Sequence, residues 1–130
     1  AEGMPEAESE ALEEQARKAV KTAQKLEPDS ADAISLLALE LDNRQLRIQA
    51  WERALELDPD HAISFYRYAK ELSEDGQLEE AERLVMRAIT LDPRNIRYRT
   101  LLAEILGAQG RKEEAQAELE KVRSFQPGPD

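Results

Sequence analysis

The amino-acid sequence predicts an all-α protein made of helical hairpins stacked in series. The tripeptides Leu57-Asp58-Pro59, Leu91-Asp92-Pro93 and Phe125-Gln126-Pro127 follow one another at intervals of 34 residues, and Leu26-Glu27-Pro28 stands 31 residues before the first of them. Between these prolines, apolar residues recur at the i, i+3, i+4, i+7 spacing of one helix face. A short element that recurs at a near-constant interval is typical of a repeat array rather than of a conventional globular domain.

The composition favours helices and excludes two classes of partner. Charged residues make up 35% of the chain, hydrophobic residues 41% and aromatic residues 5%, a balance typical of helical proteins. The formal net charge is −10. Because an acidic chain repels both phosphate backbones and anionic lipid headgroups, we expect no nucleic-acid partner and no membrane partner.

The sequence does not decide the compartment. There is no cysteine, which excludes a disulfide framework and a thiolate metal site and fits the cytosol, the periplasm or a designed sequence about equally. No apolar run is long enough to span a bilayer, and no signal peptide precedes the acidic start, so we expect a soluble protein. The chain begins at Ala1 rather than at a methionine, and we therefore expect a processed product or an excised fragment.

Residues 6–27 are predicted to form an N-terminal helix, which is half of a hairpin or a degenerate repeat. Acidic residues dominate its first turns and basic residues its second half, an order that suits the helix dipole. Pro28 ends the helix. The apolar face comprises Leu12, Ala16, Ala19, Val20 and Ala23.

Residues 31–61 are predicted to form a short hairpin. The sequence Asp42-Asn43-Arg44 is typical of a tight turn, and a second helix is expected from about Gln45 to Leu57. Apolar residues at helical spacing define the inward faces of the two helices. These residues are Ile34, Leu37, Ala38 and Leu41 on the first helix, and Trp51, Ala54 and Leu55 on the second.

Residues 62–95 and 96–127 are predicted to form two further hairpins, and residues 128–130 a non-helical tail. Gly76 and Gly110 lie where the chain must reverse direction within each hairpin, and glycine adopts positive φ at such turns without steric cost. The apolar spacing is the same on both sides of each turn. All elements are therefore assigned to a single domain that spans residues 1–130.

These residues resemble the tetratricopeptide repeat, a helical hairpin of about 34 residues. Counted from Ala62, the slots of the family pattern hold Phe65, Tyr68, Ala69, Leu72, Gly76, Ala81, Val85, Ala88 and Pro93. Counted from Ile96, they hold Leu102, Ala103, Leu106, Gly110, Ala115, Leu119, Val122 and Pro127. Only Arg99 departs from the pattern, in a slot for a large apolar residue, and we expect it to weaken the first packing layer. The resemblance implies a right-handed α-solenoid of about three antiparallel hairpins plus the N-terminal helix.

The unit 31–61 is three residues shorter than the two hairpins that match fully. Its first helix matches the family pattern through Leu41, and its second helix matches from Trp51 onward. We therefore expect the deletion to fall between these two residues and to shorten the turn. The same unit has Arg47 where the family usually has alanine.

The resemblance also implies a binding site, because the first helix of each tetratricopeptide hairpin lines a groove that binds extended or helical peptides. The corresponding residues are Ile63, Tyr66, Lys70, Ser73, Arg97, Thr100 and Glu104, with Asp32, Ser35 and Leu39 in the short unit. Tyr66, Lys70 and Arg97, with Arg67 beside them, would form an aromatic and basic patch that anchors an acidic or carboxylate-bearing peptide. The alternative is that these are ordinary solvated helix residues.

Two functions of different classes follow from this interpretation. The first is a protein-interaction module with a scaffold or adaptor role. The second is a structural or oligomerisation segment of a larger repeat protein, since stacked repeats need polar caps. We expect Leu101, Ile105 and Phe125 to leave apolar surface near the C-terminal end, through which a homo-oligomer could form.

No enzymatic chemistry is predicted. His61 is the only histidine, and without a nucleophile or a second histidine it is interpreted as a loop residue. Adjacent glutamates such as Glu79 and Glu80 point in different directions from a helix and do not form an acid–base pair. The sequence therefore predicts no catalytic residue, no cofactor and no metal ion.

Overall fold

The computed structural model describes residues 30–125 together with residues 10, 11, 13–15, 17 and 18. From residue 30 onward it contains α1 (Ala31–Ala38), α2 (Arg44–Leu57), α3 (Ala62–Glu74), α4 (Leu78–Leu91), α5 (Ile96–Ala108) and α6 (Lys112–Phe125). No strand occurs in the part of the chain that is described. The prediction of an all-α protein is therefore confirmed.

Little of the predicted N-terminal helix is described. Residues 10, 11, 13–15, 17 and 18 are helical and exposed. The tail 128–130 and the apolar face of the helix lie outside the described residues; that face comprises Leu12, Ala16, Ala19, Val20 and Ala23. Among the residues that are described, no helix is both long enough and apolar enough to cross a membrane.

The chain divides into two compact units, Ala1–Ser64 and Phe65–Asp130. In the first unit α1 packs against α2. Each of these helices begins at a side-chain cap, because the hydroxyl of Ser30 accepts from the N–H of Ala33 and the amide oxygen of Asn43 accepts from the N–H of Leu46, both at 3.1 Å. Such caps satisfy N–H groups that have no partner within the helix.

The shortening of the first hairpin falls on α1 rather than on the turn, so the expectation of a clipped turn was wrong. Helix α1 has 8 residues, whereas α3 and α5 have 13 each. Helix α2 has the same 14 residues as α4 and α6. Leu41, which was expected to lie in α1, is therefore in the turn, although it is buried.

Hydrogen bonds at the end of α1 explain how this longer turn is held. The N–H groups of Leu39, Glu40 and Leu41 donate to carbonyls three residues back, as in a 3₁₀-helix. Because the N–H of Leu39 is directed to Leu36, the indole Nε1 of Trp51 donates to the carbonyl of Ser35 at 3.1 Å. The guanidinium of Arg47 donates to the carbonyl of Leu41 at 2.7 Å.

In the second unit, glycine at the predicted turns has the expected backbone conformation. Gly76 and Gly110 have φ values of 81° and 83°. After α3, the N–H of Gln77 donates to the carbonyl of Leu72 at 2.9 Å and that of Gly76 to Ser73 at 3.1 Å. Two bonds with the same spacing end α5. This pair of bonds is the Schellman motif, whose left-handed residue is usually glycine.

Two glycine substitutions are expected to change stability in opposite directions. A Cβ at Gly76 meets no atom within 4 Å, but the positive φ is unfavourable for alanine, so Gly76→Ala should lower the free energy of unfolding by about 1–2 kcal/mol. Gly107 lies inside α5 and also has open space around it, so Gly107→Ala should raise the free energy of unfolding by about 0.5–1 kcal/mol. Urea denaturation followed by circular dichroism measures both, and two changes of the same sign would contradict the assignment.

Arg99 does not leave its packing layer weak, contrary to expectation. Its Nη1 donates to a carboxylate oxygen of Glu118 at 3.0 Å and its Nε to the carbonyl of Pro93 at 2.7 Å. The guanidinium groups of Arg99 and Arg94 lie 5.6 Å and 4.8 Å from the centre of the Phe125 ring. The apolar slot is thus filled by a hydrogen-bonded arginine that packs on an aromatic ring.

The expected apolar surface near the C-terminal end is not formed by the predicted residues. Leu101 and Ile105 are buried, and Phe125 is half-buried beneath two guanidinium groups. Leu119, which was expected to face inward, is 38% exposed, whereas Val85 at the same repeat position is fully buried. The reason is that α5 packs against α4 as well as against α6, while no described helix after α6 covers Leu119.

Candidate functional site

Two tyrosine rings form the centre of the candidate site in the second unit. Tyr66 lies in the second turn of α3 and Tyr98 in the first turn of α5. Their ring centres are 5.2 Å apart and the ring planes are inclined by 30°, which is a stacked arrangement. Tyr66 is 8% exposed and Tyr98 4%, so both rings belong to the packed interior of the unit. We call this pair the tyrosine stack.

The phenol groups of the tyrosine stack are available to a ligand. Neither hydroxyl has a hydrogen-bond partner among the described residues. No buried side-chain nitrogen or oxygen in this part of the chain is without a partner, so both hydroxyls reach solvent. Two largely buried rings therefore present donor groups in fixed positions at the surface.

Burial of the Tyr98 phenol is the main reason that its neutral form is favoured. Burial raises the pKa of the Tyr98 phenol above its usual value, and the carboxylate of Asp92 raises it further. The positive charges of Arg97 and Arg67 oppose this shift and lower the pKa. The phenol consequently remains protonated at neutral pH and acts as a hydrogen-bond donor, with two guanidinium groups close enough to act on it.

Arg97 extends the tyrosine stack on the solvent side. Its guanidinium lies 5.2 Å from the centre of the Tyr66 ring, a cation–π contact, and its side chain is exposed. No carboxylate pairs with it in the described part of the chain, unlike the guanidinium groups of Arg53 and Arg111. Lys70, one turn after Tyr66 on α3, is also exposed and also without a described partner.

The structure brings together only part of the predicted groove. Tyr66 and Arg97 are in contact. Lys70 and Glu104 are exposed on α3 and α5, while Ser73 and Thr100 are half-buried on the same two helices. Ile63 is half-buried in the first turn of α3, within the first unit. No contact among these last five residues is recorded in the described structure.

In the short hairpin, one predicted groove residue is not accessible to a binding protein or peptide. Ser35 is fully buried, so its assignment to the groove was wrong. Asp32 is exposed and Leu39 is exposed in the turn after α1. The premature end of α1 changes which residues of this hairpin reach solvent.

Tyr98 is a site residue that the sequence analysis did not single out, because it does not occupy one of the groove positions of the repeat. It occupies the third position of its repeat, whereas Tyr66 occupies the fifth position of the preceding one. The signal in the sequence is a pair of tyrosines near the starts of two successive first helices. Ring stacking between neighbouring first helices could have been proposed from that pair alone.

A second cluster links Asp32, His61 and Ser64 in the first unit. His61 is buried, with its Nε2 2.5 Å from a carboxylate oxygen of Asp32 and its Nδ1 2.6 Å from the hydroxyl of Ser64. His61 does precede α3 in a loop, as predicted, but it also joins the first turn of α1 to the start of α3. Because Ser64 is fully buried, its hydroxyl cannot attack a substrate, and the cluster is a structural tie.

Comparison with known proteins agrees with the repeat pattern. A family model described as tetratricopeptide repeat matches residues 48–105 and again residues 72–130, which together are more than half of the chain. No curated protein matches the chain by sequence.

Solved structures of MamA share the fold. One crystal structure of MamA is 23% identical, with a TM-score of 0.71 over 78% of this chain and 61% of that chain. A second is 22% identical, with a TM-score of 0.71 over 90% of this chain and 63% of that chain. MamA 41-end from Desulfovibrio magneticus RS-1 is 21% identical, with a TM-score of 0.71 over 92% and 68%. The chain thus spans less than two thirds of the first two structures, and the similarity concerns the fold.

Proposed function

Because the chain belongs to the tetratricopeptide repeat family, we propose that it binds an acidic segment of a protein partner at the tyrosine stack. The family and the fold are those of protein-interaction and scaffold modules, which are generally not enzymes. The site proposed for the partner comprises Tyr66, Tyr98, Arg97 and Lys70.

One observation carries the proposal: Arg97 lies on the ring of Tyr66 without a carboxylate partner in the described residues. In a chain of net charge −10, surface ion pairs such as Arg53 with Glu56 are easily formed. An arginine that contacts an aromatic ring and has no ion-pair partner keeps N–H groups available for a ligand. Such a guanidinium binds a carboxylate in a bidentate manner.

The phenol groups supply the second part of the interaction. A carboxylate has two acceptor oxygens, so it can accept from Arg97 and from a tyrosine hydroxyl at the same time. The rings are already ordered by their packing in the free protein, and little side-chain entropy is lost when a partner binds. Tyrosine and arginine are also the residue types that most often dominate binding energy at protein interfaces.

The negative net charge of the chain does not assist the association of an acidic partner. At long range, the negative chain repels an acidic partner, so association is not accelerated by electrostatic steering. The attraction is confined to the neighbourhood of Arg97, Lys70 and Arg67. We therefore expect the affinity to depend on direct contacts with these residues rather than on the overall field.

Charge reversal at the two exposed cations tests the proposal. Binding of a fluorescein-labelled peptide of glutamate and glycine with a free C-terminal carboxylate is measured by fluorescence anisotropy. Arg97→Glu and Lys70→Glu should each weaken binding by roughly tenfold or more, the effect of losing one charge-assisted hydrogen bond. Tyr66 is unsuitable as the first target because its ring is buried, and its loss would also reduce stability.

Lys112→Glu is the matched control. Lys112 is exposed on α6 without a described partner, so this substitution changes the net charge by the same amount away from the tyrosine stack. It should leave the affinity nearly unchanged. Equal effects of Arg97→Glu and Lys112→Glu, with circular dichroism showing that both variants are folded, would mean that only net charge matters and would refute the site.

A further inference from the structure

The first unit carries an exposed apolar surface that the proposed function does not use. Leu36 lies in α1 and is 58% exposed, and Leu39 lies directly after α1 and is 53% exposed. They are three residues apart, which places them on the same side of one helical turn. We propose that these two leucines, here called the leucine pair, bind a basic amphipathic helix of a protein partner.

The repeat fold does not require leucine at these positions. The residues 31 positions later, at the same places in the next hairpin, are Arg67 and Lys70. Lys70 is exposed, so this position of a hairpin tolerates a charged side chain. A single exposed leucine needs no explanation, but Leu36 and Leu39 lie side by side and each exposes more than half of its surface, and we place the contact with a partner at this small apolar patch.

Negative charges beside the leucine pair define the chemistry of the partner. Glu40 and Asp42 are exposed in the turn after α1, and neither carboxylate has a hydrogen bond or an ion pair among the described residues. The last turn of α1 contains no basic residue. The C-terminal end of a helix carries a partial negative charge; at this end the guanidinium of Arg47, from α2, donates to the carbonyl of Leu41.

The occupant must therefore combine apolar and basic residues. A helix with leucine or isoleucine on one face can cover Leu36 and Leu39, and lysine or arginine at the edge of that face can pair with Glu40 and Asp42. An amphipathic helix of this type binds through apolar anchors spaced at i, i+3 and i+4. Its charge is opposite to that of the segment proposed for the tyrosine stack, so the two surfaces select different ligands.

A designed probe tests this inference on the intact chain. The probe is a fluorescein-labelled helical peptide of leucine, lysine and alanine, about two heptads long, with leucines on one face. Its binding is measured by fluorescence anisotropy, and a companion peptide carries glutamate in place of every lysine. We expect the lysine peptide to bind and the glutamate peptide to bind at least about tenfold more weakly.

Substitutions at the surface separate this site from non-specific attraction to an acidic protein. Leu36→Ser with Leu39→Ser should weaken binding of the lysine peptide by roughly tenfold, and Glu40→Gln with Asp42→Asn should weaken it and reduce its salt dependence. Met86→Ser, at an exposed position of α4, is the control for apolar area, and Glu79→Gln with Glu113→Gln is the control for charge.

The two outcomes are distinct. Loss of binding in the leucine and acidic variants, with both control variants unchanged, supports the site. Binding that falls equally in the control variants, or that is unaffected by the two serine substitutions, overturns it. Arg97→Glu is a further control: it alters the tyrosine stack and not the leucine pair, so it should not weaken binding of the lysine peptide, whether or not the tyrosine stack binds an acidic segment.

Discussion

Replacement of Trp51 by alanine is expected to lower the free energy of unfolding by about 3–5 kcal/mol, the range for removal of a buried aromatic side chain. Trp51 is almost completely buried in the first unit, and its indole donates to the carbonyl of Ser35. The substitution removes both the apolar contact and this hydrogen bond. Because α1 has only 8 residues, it depends on packing against α2 rather than on its own helical tendency.

Chemical denaturation followed by far-ultraviolet circular dichroism measures this loss, since the only tryptophan is removed and its fluorescence cannot report. Trp51→Phe is the matched variant, because it keeps much of the apolar volume but has no N–H donor. We expect it to cost clearly less than alanine while still leaving the carbonyl of Ser35 without its indole donor. A loss below about 1 kcal/mol for Trp51→Ala would contradict the structural role of this side chain.

Removal of Glu118 is expected to have the second largest effect. Its carboxylate accepts from Arg99 at 3.0 Å and from Lys121 at 3.1 Å, and the side chains of Glu118 and Arg99 are only 12% and 15% exposed. Glu118→Ala leaves the guanidinium of Arg99 largely buried without its counter-ion. We expect a loss of about 2–4 kcal/mol, somewhat below the range for a fully buried pair because some solvent reaches both groups.

A double substitution distinguishes loss of an ion pair from loss of packing. The family pattern has a large apolar residue in the slot of Arg99, so Arg99→Leu combined with Glu118→Leu replaces the pair with apolar side chains of suitable size. Such replacements are often neutral or stabilising. We expect the double variant to be more stable than Glu118→Ala. Equal destabilisation of the two would show that the unpaired guanidinium of Arg99 is not the cause of the loss in Glu118→Ala, and would contradict this account.

The repeat interval and the turns were predictable because they depend on local chemistry. The apolar spacing and the prolines repeat along the chain, and a turn that needs positive φ selects glycine at Gly76 and Gly110. These are properties of each segment by itself. They were sufficient for the all-α fold and for the glycine turns of the second unit.

Prediction was weaker where the outcome depends on a neighbour. The length of α1 depends on the 3₁₀ bonds and on the indole of Trp51, which lies 16 residues away from Ser35. Arg99 was judged by its slot alone, whereas its contribution depends on Glu118, 19 residues later. His61 was judged without Asp32, 29 residues earlier. Contacts at such separations follow no fixed spacing in the sequence.

The candidate site also combines features that the sequence determines with features that only the tertiary structure determines. The sequence alone determined that Tyr66, Lys70 and Arg97 lie on first helices of successive hairpins, because the repeat assigns each residue a position. Only the tertiary structure decided that the ring of Tyr66 is buried against Tyr98, that Arg97 lies over it, and that Leu36 and Leu39 reach solvent. Periodicity fixes the face of a helix on which a side chain lies, but exposure and pairing depend on which atoms of other helices occupy the adjacent space.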